Sequence, residues 1–326
     1  MPYNDTTSPT ATISLSDSAL KSRETATVTI QFSESVSWID LTNLRAENGS
    51  LSGLTRITSN TWTAVFTPTA NITDASNRIS LNHYYKDSAG NTGLSASSGV
   101  YRVDTKAPTA TISLSDHYLK IGETATVTIQ FSEAVKGFDL RDLSADNGAL
   151  SNLTDNGNNT YTAIFTPIAD ITKINNKIRV DGAYTDIAGN LSSGMAGSYC
   201  NIDTTSPTAI ISLSDHALKI GETATVSIQF SEAVKGFDLK DLHSDNGSLS
   251  RLLYNGNNTW TAVFKSTANI NDTSNSIHLN VNGYTDNAGN YGQADSENVS
   301  VHTVAQTVEL TGVTGQPNDV VYDFSF

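Results

Sequence analysis

Acidic side chains recur along this sequence at intervals of 99 residues, and they are the first candidates for chemistry. Each repeat carries an Asp in an Asp-Thr-x-x-Pro motif, a Glu and an Asp that follow a hydrophobic run, and an Asp-x-Ala-Gly-Asn motif. One inserted residue in the third repeat lengthens the last interval to 100 residues. The candidate positions are Asp5, Glu34, Asp40, Asp87 and Asn91 in repeat one, Asp104, Glu133, Asp139, Asp186 and Asn190 in repeat two, and Asp203, Glu232, Asp238, Asp286 and Asn290 in repeat three.

These oxygen-bearing side chains are suited to binding a hard cation. Carboxylates that converge without a matching Lys or Arg repel one another, and a cation between them removes that repulsion. Ca²⁺ takes about six to eight oxygens from carboxylates, Asn side chains, carbonyls and water. The charge balance agrees, because 33 acidic residues stand against 19 basic ones, a net charge of −14. The sequence therefore predicts Ca²⁺ as a cofactor and the residues above as its ligands.

Each motif also has a purely structural interpretation, which the sequence leaves open. The Asp of Asp-Thr-x-x-Pro is typical of a turn carboxylate that accepts a hydrogen bond from its own backbone. The Asp-x-Ala-Gly-Asn motif is compatible with a type I turn stabilised by its Asp and Asn side chains. A second acidic group, with Asp17, Glu24 and Asp74, is weaker because repeat two has Lys173 in place of Asp74.

Period-two alternation predicts the strands that must position these acids. In repeat one, Ala26, Val28, Ile30 and Phe32 alternate with Thr and Gln, which is typical of a half-exposed antiparallel strand. Similar alternation predicts strands over 11–15, 62–66, 79–85 and 101–103. Asn-Gly and Ala-Gly-Asn turn signals separate the runs. About seven short strands per repeat predict an all-β fold of three tandem immunoglobulin-like β-sandwiches.

The repeat period also sets the domain boundaries. A period of 99 is too long for a solenoid unit of about 20–45 residues, so each repeat is one sandwich. We expect domains over residues 4–103, 104–202 and 203–303, with a C-terminal extension or truncated further module over 304–326. The linkers are short and contain proline, which predicts a semi-rigid, extended and monomeric rod.

Strand direction predicts that the acids meet at one end of each sandwich. If the first strand leaves the N-terminal linker, the second returns and ends at Glu34 beside Asp5. The sixth strand ends at the same place, with Asp87 and Asn91, and Asp40 begins close by. The acids around Asp17 and Asp74 then lie at the opposite end, where they face the linker Asp of the next repeat. This second group is an open candidate for completing a site between domains.

Several classes of function are disfavoured. The single Cys200 excludes an internal disulfide and any Cys-ligated metal, and we expect it in the core. An acidic surface repels nucleic acid, and no run of 18 apolar residues predicts a membrane span. The histidines show no His-Glu-x-x-His spacing, and carboxylates on loops of narrow sandwiches lack a cleft, so the chain is predicted not to be an enzyme.

The aromatic residues mostly follow the core pattern. Trp62, Tyr161 and Trp260 alternate with core positions, so they are predicted to be buried rather than to stack on a sugar. Trp38 aligns with Gly137 in repeat two and is expected to be exposed.

Taken together, the Asp-Thr-x-x-Pro-Thr-Ala, Glu-Thr-Ala-Thr-Val and Tyr-x-Asp-x-Ala-Gly-Asn segments resemble the bacterial Ig-like domains of giant repetitive adhesins. The resemblance covers about residues 4–303. It implies an extracellular or cell-surface protein of Gram-negative bacteria, exported by type I secretion and involved in virulence. Calcium between the domains would stiffen the rod, and the partner would be a glycan or protein on the host cell surface.

Two functions follow as expectations. The first is a calcium-stiffened stalk segment that presents a binding region located elsewhere in the adhesin. The alternative is that these Ig-like domains themselves bind a host glycan or protein receptor. An exposed aromatic residue that recurs in every repeat would favour direct binding. Trp38 does not recur, which favours the stalk.

Overall fold

The structure, a computed structural model, describes residues 5–192 and 194–307. The chain divides into two compact units, one ending at Ile202 and including repeats one and two, the other containing Ala169–Ile171 and the chain from Asp203. Most of the predicted C-terminal segment, residues 308–326, lies outside the described residues.

Repeat one is a sandwich of short β-strands. Three sheets form, with the strand orders β1-β3-β6-β5, β2-β10-β7 and β4-β8-β9. All described pairs are antiparallel except β10 with β2, which is parallel. The strands are β1 (Ala11–Leu15), β2 (Ala19–Lys21), β3 (Ala26–Phe32), β4 (Leu44–Ala46), β5 (Gly49–Arg56), β6 (Thr61–Pro68), β7 (Thr73–Asn77), β8 (Ile79–Leu81), β9 (Ala96–Ser97) and β10 (Tyr101–Asp104).

Repeat two has a matching first four-stranded sheet, but its other strands form a second four-stranded sheet and a two-stranded one. Its sheets have the orders β11-β13-β17-β16, β12-β20-β18-β15 and β14-β19. The strands are β11 (Ala110–Leu114), β12 (Tyr118–Lys120), β13 (Ala125–Phe131), β14 (Val135–Lys136), β15 (Leu143–Ala145), β16 (Gly148–Asp155), β17 (Thr160–Pro167), β18 (Thr172–Val180), β19 (Thr185–Asp186) and β20 (Ala196–Asp203).

Repeat three, in the second unit, forms two four-stranded sheets. Their strand orders are β21-β23-β26-β25 and β22-β28-β27-β24. The strands are β21 (Ala209–Leu213), β22 (Ala217–Lys219), β23 (Thr223–Phe230), β24 (Leu242–Ser244), β25 (Gly247–Gly256), β26 (Thr259–Ser266), β27 (Asn271–Leu279) and β28 (Ser296–His302). The predicted all-β fold of tandem Ig-like sandwiches is confirmed.

The buried core residues follow the alternation that the sequence predicts. Val28 and Ile30 of β3 are fully buried, and Ile30 lies opposite both Ile13 of β1 and Trp62 of β6. Trp62 is 7% exposed and Cys200 only 2%, so both core predictions are confirmed, and burial raises the pKa of the Cys200 thiol. The counterparts of Trp62 in the other repeats, Tyr161 and Trp260, are half-buried rather than buried.

The described residues of repeat one form ten strands where about seven were predicted. The strand predicted over 11–15 is β1, and beyond it Asp17 Oδ1 accepts a hydrogen bond from Ala19 N at 2.8 Å before the chain continues in the other sheet as β2. The strand predicted over 79–85 ends at Leu81. There Asn82 Oδ1 accepts from Tyr84 N at 3.0 Å, which is an Asx turn that directs the chain out of the sheet.

Candidate metal centres

Three carboxylates meet at one end of every sandwich. In each group the candidate ligand oxygens all lie within 4.8 Å of one another. The linker Asp, the Glu after the third strand and the Asp of the Asp-x-Ala-Gly-Asn motif contribute one carboxylate each. The groups are Asp5, Glu34 and Asp87; Asp104, Glu133 and Asp186; and Asp203, Glu232 and Asp286. The predicted convergence of these nine acids is therefore present, and their role as metal ligands stays a prediction.

The loop Asp is held in place by its own turn. Asp87 is 3% exposed, and its Oδ1 accepts from Ala89 N at 2.9 Å and from Asn91 N at 2.8 Å. Gly90 completes this turn with a φ of +96°, a left-handed conformation that favours glycine. Val36, two residues after Glu34, forms an antiparallel bridge with Asp87 and so brings the Glu beside the loop. The same loop thus forms the turn that the sequence predicted and contributes Asp87 to the acidic group.

The Asn of the motif ties the loop to the linker. In repeat two, Asn190 Nδ2 donates to Asp186 Oδ2 and to the backbone oxygen of Asp104, both at 2.7 Å. Asn91 and Asn290 make the corresponding bonds, to Asp5 O at 3.1 Å and to Asp203 O at 2.8 Å. The amide nitrogens therefore orient the acids. Asn190 Oδ1 accepts from Ser22 N at 2.8 Å, a bond that reaches into repeat one.

The remaining predicted acids lie outside these three groups. Asp40, Asp139 and Asp238 each cap a single-turn 3₁₀ helix: Leu41–Asn43, Leu140–Asp142 and Leu239–Asp241 respectively. The Oδ1 atom accepts from a backbone N–H two residues on, at 2.7 Å in each repeat. The sequence carried a signal for this role, because Asn or Asp stands three residues after each of these aspartates, as in a capping box.

The clustered acids carry little compensating positive charge. Burial raises the pKa of the Glu34 carboxyl, and the nearby carboxylates of Asp5 and Asp87 raise it further. Burial and neighbouring acids likewise raise the pKa of Glu133 and Glu232. Lys106 acts in the opposite direction and lowers the pKa of Glu133. Such mutual repulsion is the condition under which a hard cation binds most favourably.

The opposite end of the sandwich forms no comparable group among the described residues. Glu24 Oε2 accepts from Lys21 N at 3.0 Å and its Oε1 lies 3.5 Å from Lys21 Nζ. Asp74 accepts from Asn48 Nδ2 at 2.9 Å and from Ser76 N at 2.9 Å. These acids are engaged in local turns. The linker Asp104 does reach this end of repeat one, because its Oδ1 accepts from Thr73 Oγ1 at 3.0 Å.

Within the described residues, no helix has the length and apolar character that crossing a membrane requires. A comparison with protein families matches the bacterial Ig-like domain three times, over residues 5–103, 104–201 and 203–303. No curated protein matches the sequence.

Several solved structures are similar to this chain at low sequence identity. The Escherichia coli adhesin FdeC is 14% identical, with 89% of this chain and 96% of that chain covered and a TM-score of 0.34. InvD of Yersinia pseudotuberculosis is 13% identical, with 90% and 98% covered and a TM-score of 0.34. The titin fragment I67–I69 is 8% identical, with 91% and 99% covered and a TM-score of 0.42.

Proposed function

Since this chain belongs to the bacterial Ig-like domain family over nearly all of residues 5–303, we propose that it is a calcium-stiffened stalk segment of a bacterial adhesin. The proposed location is the cell surface or the extracellular medium, after type I secretion, and the proposed role is attachment to host cells. Its motifs look most like those of the giant non-fimbrial adhesin of Salmonella. The role is structural and adhesive rather than enzymatic.

The observation that carries the proposal is the repeated group of three carboxylates. Carboxylate oxygens within 4.8 Å of one another form a donor set that suits Ca²⁺, a hard cation that prefers oxygen ligands. Backbone N–H groups already orient the loop Asp186, and burial together with the neighbouring carboxylates raises the pKa of Glu133. Protein oxygens provide only part of a calcium coordination shell here, so water would supply the rest.

At the junction of repeats one and two, an ion at such a site would affect how firmly the two repeats are joined. Asp104 contributes one carboxylate to the group in repeat two, while its Oδ1 also accepts from Thr73 of repeat one. Asn190, which orients Asp186, accepts a bond from Ser22 N of repeat one. An ion held by Asp104, Glu133 and Asp186 would therefore fix the linker and the contacts that join it to repeat one.

Calcium stoichiometry measured by isothermal titration tests this function. We expect Asp104→Ser to remove about one site, and Asp203→Ser to remove a different one, while both variants stay folded. Asp139→Ser is the matched control, because it removes the same charge from repeat two outside the acidic group. The parent should also melt at a higher temperature in CaCl₂ than in EDTA, since about 2.7 kcal/mol per site is gained at 100 times the dissociation constant.

Two results would contradict the proposal. One is an equal number of bound ions in the parent, Asp104→Ser and Asp203→Ser. The other is a melting temperature that does not depend on calcium.

A further inference from the structure

Repeat one carries an open cavity that is lined by exposed aromatic rings. Its volume is about 410 Å³, and Trp38, His83 and Tyr84 line it together with Lys86, Ser37 and Thr92. Trp38 is 62% exposed and Tyr84 is 74% exposed. The rings of His83 and Tyr84 lie 4.2 Å apart. We call the site formed by Trp38, His83, Tyr84 and Lys86 the aromatic groove.

The aromatic residues of the groove occupy positions where the other repeats have small residues. Trp38 stands where repeats two and three have Gly137 and Gly236, both with a φ of +77°, a conformation that Trp38 does not adopt. Tyr84 stands where repeat two has Ala183. These changes occur on two separate loops that face the same cavity. Repeat one thus has large rings on both sides of a space that is bordered by small residues in repeat two.

Repeat one also has its large ring in this loop at the surface, whereas repeats two and three have theirs packed inward. In repeats two and three the residue after the glycine is Phe138 or Phe237, which packs at 4.9 or 5.0 Å against the Phe at the end of the third strand. In repeat one this core position is Ile39, which is 1% exposed, and the ring before it, Trp38, points outward. Exposing a large ring forgoes the hydrophobic stabilisation that burial gives, so the outward position is not explained by folding.

The lysine near this loop lies on a different segment in repeat one than in repeats two and three. Lys136 and Lys235 donate from Nζ to the backbone oxygens of Ile187 at 3.4 Å and Asn287 at 3.3 Å. Repeat one has Ser37 at this position, and its lysine is Lys86 on the facing segment, where the other repeats have Thr. In the described part of the chain, Lys86 Nζ has no hydrogen bond or ion pair. Its ammonium is therefore available to a ligand.

The charge of the groove is positive in an acidic chain. No carboxylate is among the residues that line the cavity, although the whole chain carries −14. The neighbouring Asp87 is 3% exposed, and its oxygens accept from Ala89 N, Asn91 N and Asn91 Nδ2 inside its own turn. A ligand with a negative charge is complementary to the ammonium of Lys86.

We propose that the aromatic groove binds a pyranose that carries a carboxylate, that is, a hexuronic acid unit of a glycan. The apolar C–H faces of such a ring pack on Trp38 and Tyr84, and the carboxylate pairs with Lys86. Thr92 supplies a hydroxyl to the sugar, and Ser37 Oγ, which already donates to the backbone oxygen of Asp87 at 2.8 Å, can accept from a sugar hydroxyl. The volume lies within the range of about 300–1,000 Å³ that is typical of small-ligand sites. Binding here does not require the calcium proposed above, although Lys86 directly precedes Asp87 of the acidic group.

The test is an NMR titration of the full chain, kept in CaCl₂, with two probes that differ only at C6. Methyl β-glucuronide has the carboxylate, and methyl β-glucoside has a hydroxymethyl group in its place. The chain has three Trp, so the indole signal of Trp38 can be assigned by substitution. We expect a saturable shift of this signal, with up to about fivefold tighter binding of the glucuronide, the range of an exposed charge pair.

The variants take their residues from the other repeats. Trp38→Gly has no Trp38 indole, so it is followed through the backbone amide signals of Lys86 and Thr92, which should no longer respond to either sugar. Lys86→Thr should reduce the affinity for glucuronide to that for glucoside. Tyr84→Ala is a second loss-of-binding variant in case Trp38→Gly disturbs the loop. Tyr118→Ala is the control, because Tyr118 is also 74% exposed but lies in repeat two, and it should bind as the parent does.

Several outcomes would overturn the inference. The first is no saturable shift of Trp38 with either sugar. Equal affinity for the two sugars, unchanged in Lys86→Thr, would remove the acidic specificity. Self-association of the parent that Trp38→Gly abolishes, without a sugar response, would assign the groove to a second copy of this chain instead.

Discussion

Lys106 makes the acidic group of repeat two different from the other two. It is exposed, and its charge lowers the pKa of Glu133 against the effects of burial, Asp186 and Asp104. Repeats one and three have Thr7 and Thr205 at this position. The lysine therefore opposes a bound cation at one site only.

Replacing Lys106 with Thr should tighten calcium binding at the middle site. The expected gain is up to about fivefold, the range of an exposed charge pair, and it should shrink at high salt. Site-resolved calcium titration by NMR measures it. Lys177→Thr removes the same charge from the same repeat, at a residue that does not influence Glu133, and should leave the affinity unchanged. Equal affinity in the parent and Lys106→Thr would contradict the electrostatic account of the site.

The raised pKa values of Glu34, Glu133 and Glu232 predict a pH dependence of stability without calcium. A carboxyl whose pKa is higher in the folded state binds more protons there, so stability falls as pH rises from about 4.5 through the folded pKa. Aspartates with lowered pKa, such as Asp139, have the opposite sign and act below about 3.8.

Thermal melts in EDTA across pH 4–7 test this sign. The parent should lose stability as pH rises above about 4.5, and the triple variant Glu34→Gln, Glu133→Gln, Glu232→Gln should lose less. An unchanged slope in the triple variant would show that the decline comes from elsewhere in the acidic chain.

At the scale of elements, the loop that carries Asn190 joins two repeats. Asn190 bonds to Asp186, to the linker oxygen of Asp104, and to Ser22 N of repeat one. Asn91 makes the first two kinds of bond in repeat one. Comparing Asn91 with Asn190 therefore distinguishes the local role of this Asn from its additional role at the junction.

Asn190→Ala should expose the amide of Ser22. Losing one hydrogen-bond acceptor is worth about 0.5–1.5 kcal/mol, so amide exchange at Ser22 should become about two- to tenfold faster. Hydrogen exchange followed by NMR measures this residue directly. Asn91→Ala is the matched control and should leave Ser22 exchange unchanged. Unchanged exchange at Ser22 in Asn190→Ala would show that the bond does not hold the junction.

The elements also show what could be predicted from the sequence. The strand pattern was predictable because a buried residue at every second position, such as Val28 and Ile30, appears directly as alternation. The convergence of Asp5, Glu34 and Asp87 followed from strand direction alone. The position of Asp40 just after the strand suggested that it belongs to this group. Its capping-box spacing instead indicates the helix cap that the structure shows.

Other features were beyond prediction because they depend on tertiary contacts. The bond between Ser22 and Asn190 joins residues 168 positions apart, and no repeat pattern encodes it. Trp38 was expected to be exposed, which is confirmed, but its cavity also requires the Asx turn at Asn82 that directs His83 and Tyr84 out of the predicted strand. An alternating pattern alone gives no sign of where such a turn ends the strand.

For the whole molecule, we propose that calcium stiffens the three-domain chain and that each sandwich folds without it. Each core is built from apolar strands that are separate from the acids, as in the cluster around Val28, Ile30 and Phe66. The acids at the first junction instead contact the linker and both repeats. Calcium removal should therefore act on the junctions first.

Small-angle X-ray scattering in CaCl₂ and in EDTA tests this claim most directly. The proposed stalk, with three sandwiches of about 35–45 Å each in line, predicts a maximum dimension of about 110–140 Å with calcium. Chelation should shorten or broaden the distance distribution, while far-UV circular dichroism of the same samples changes little. A scattering profile that is identical with and without calcium would contradict the stiffening role, even if the ion binds.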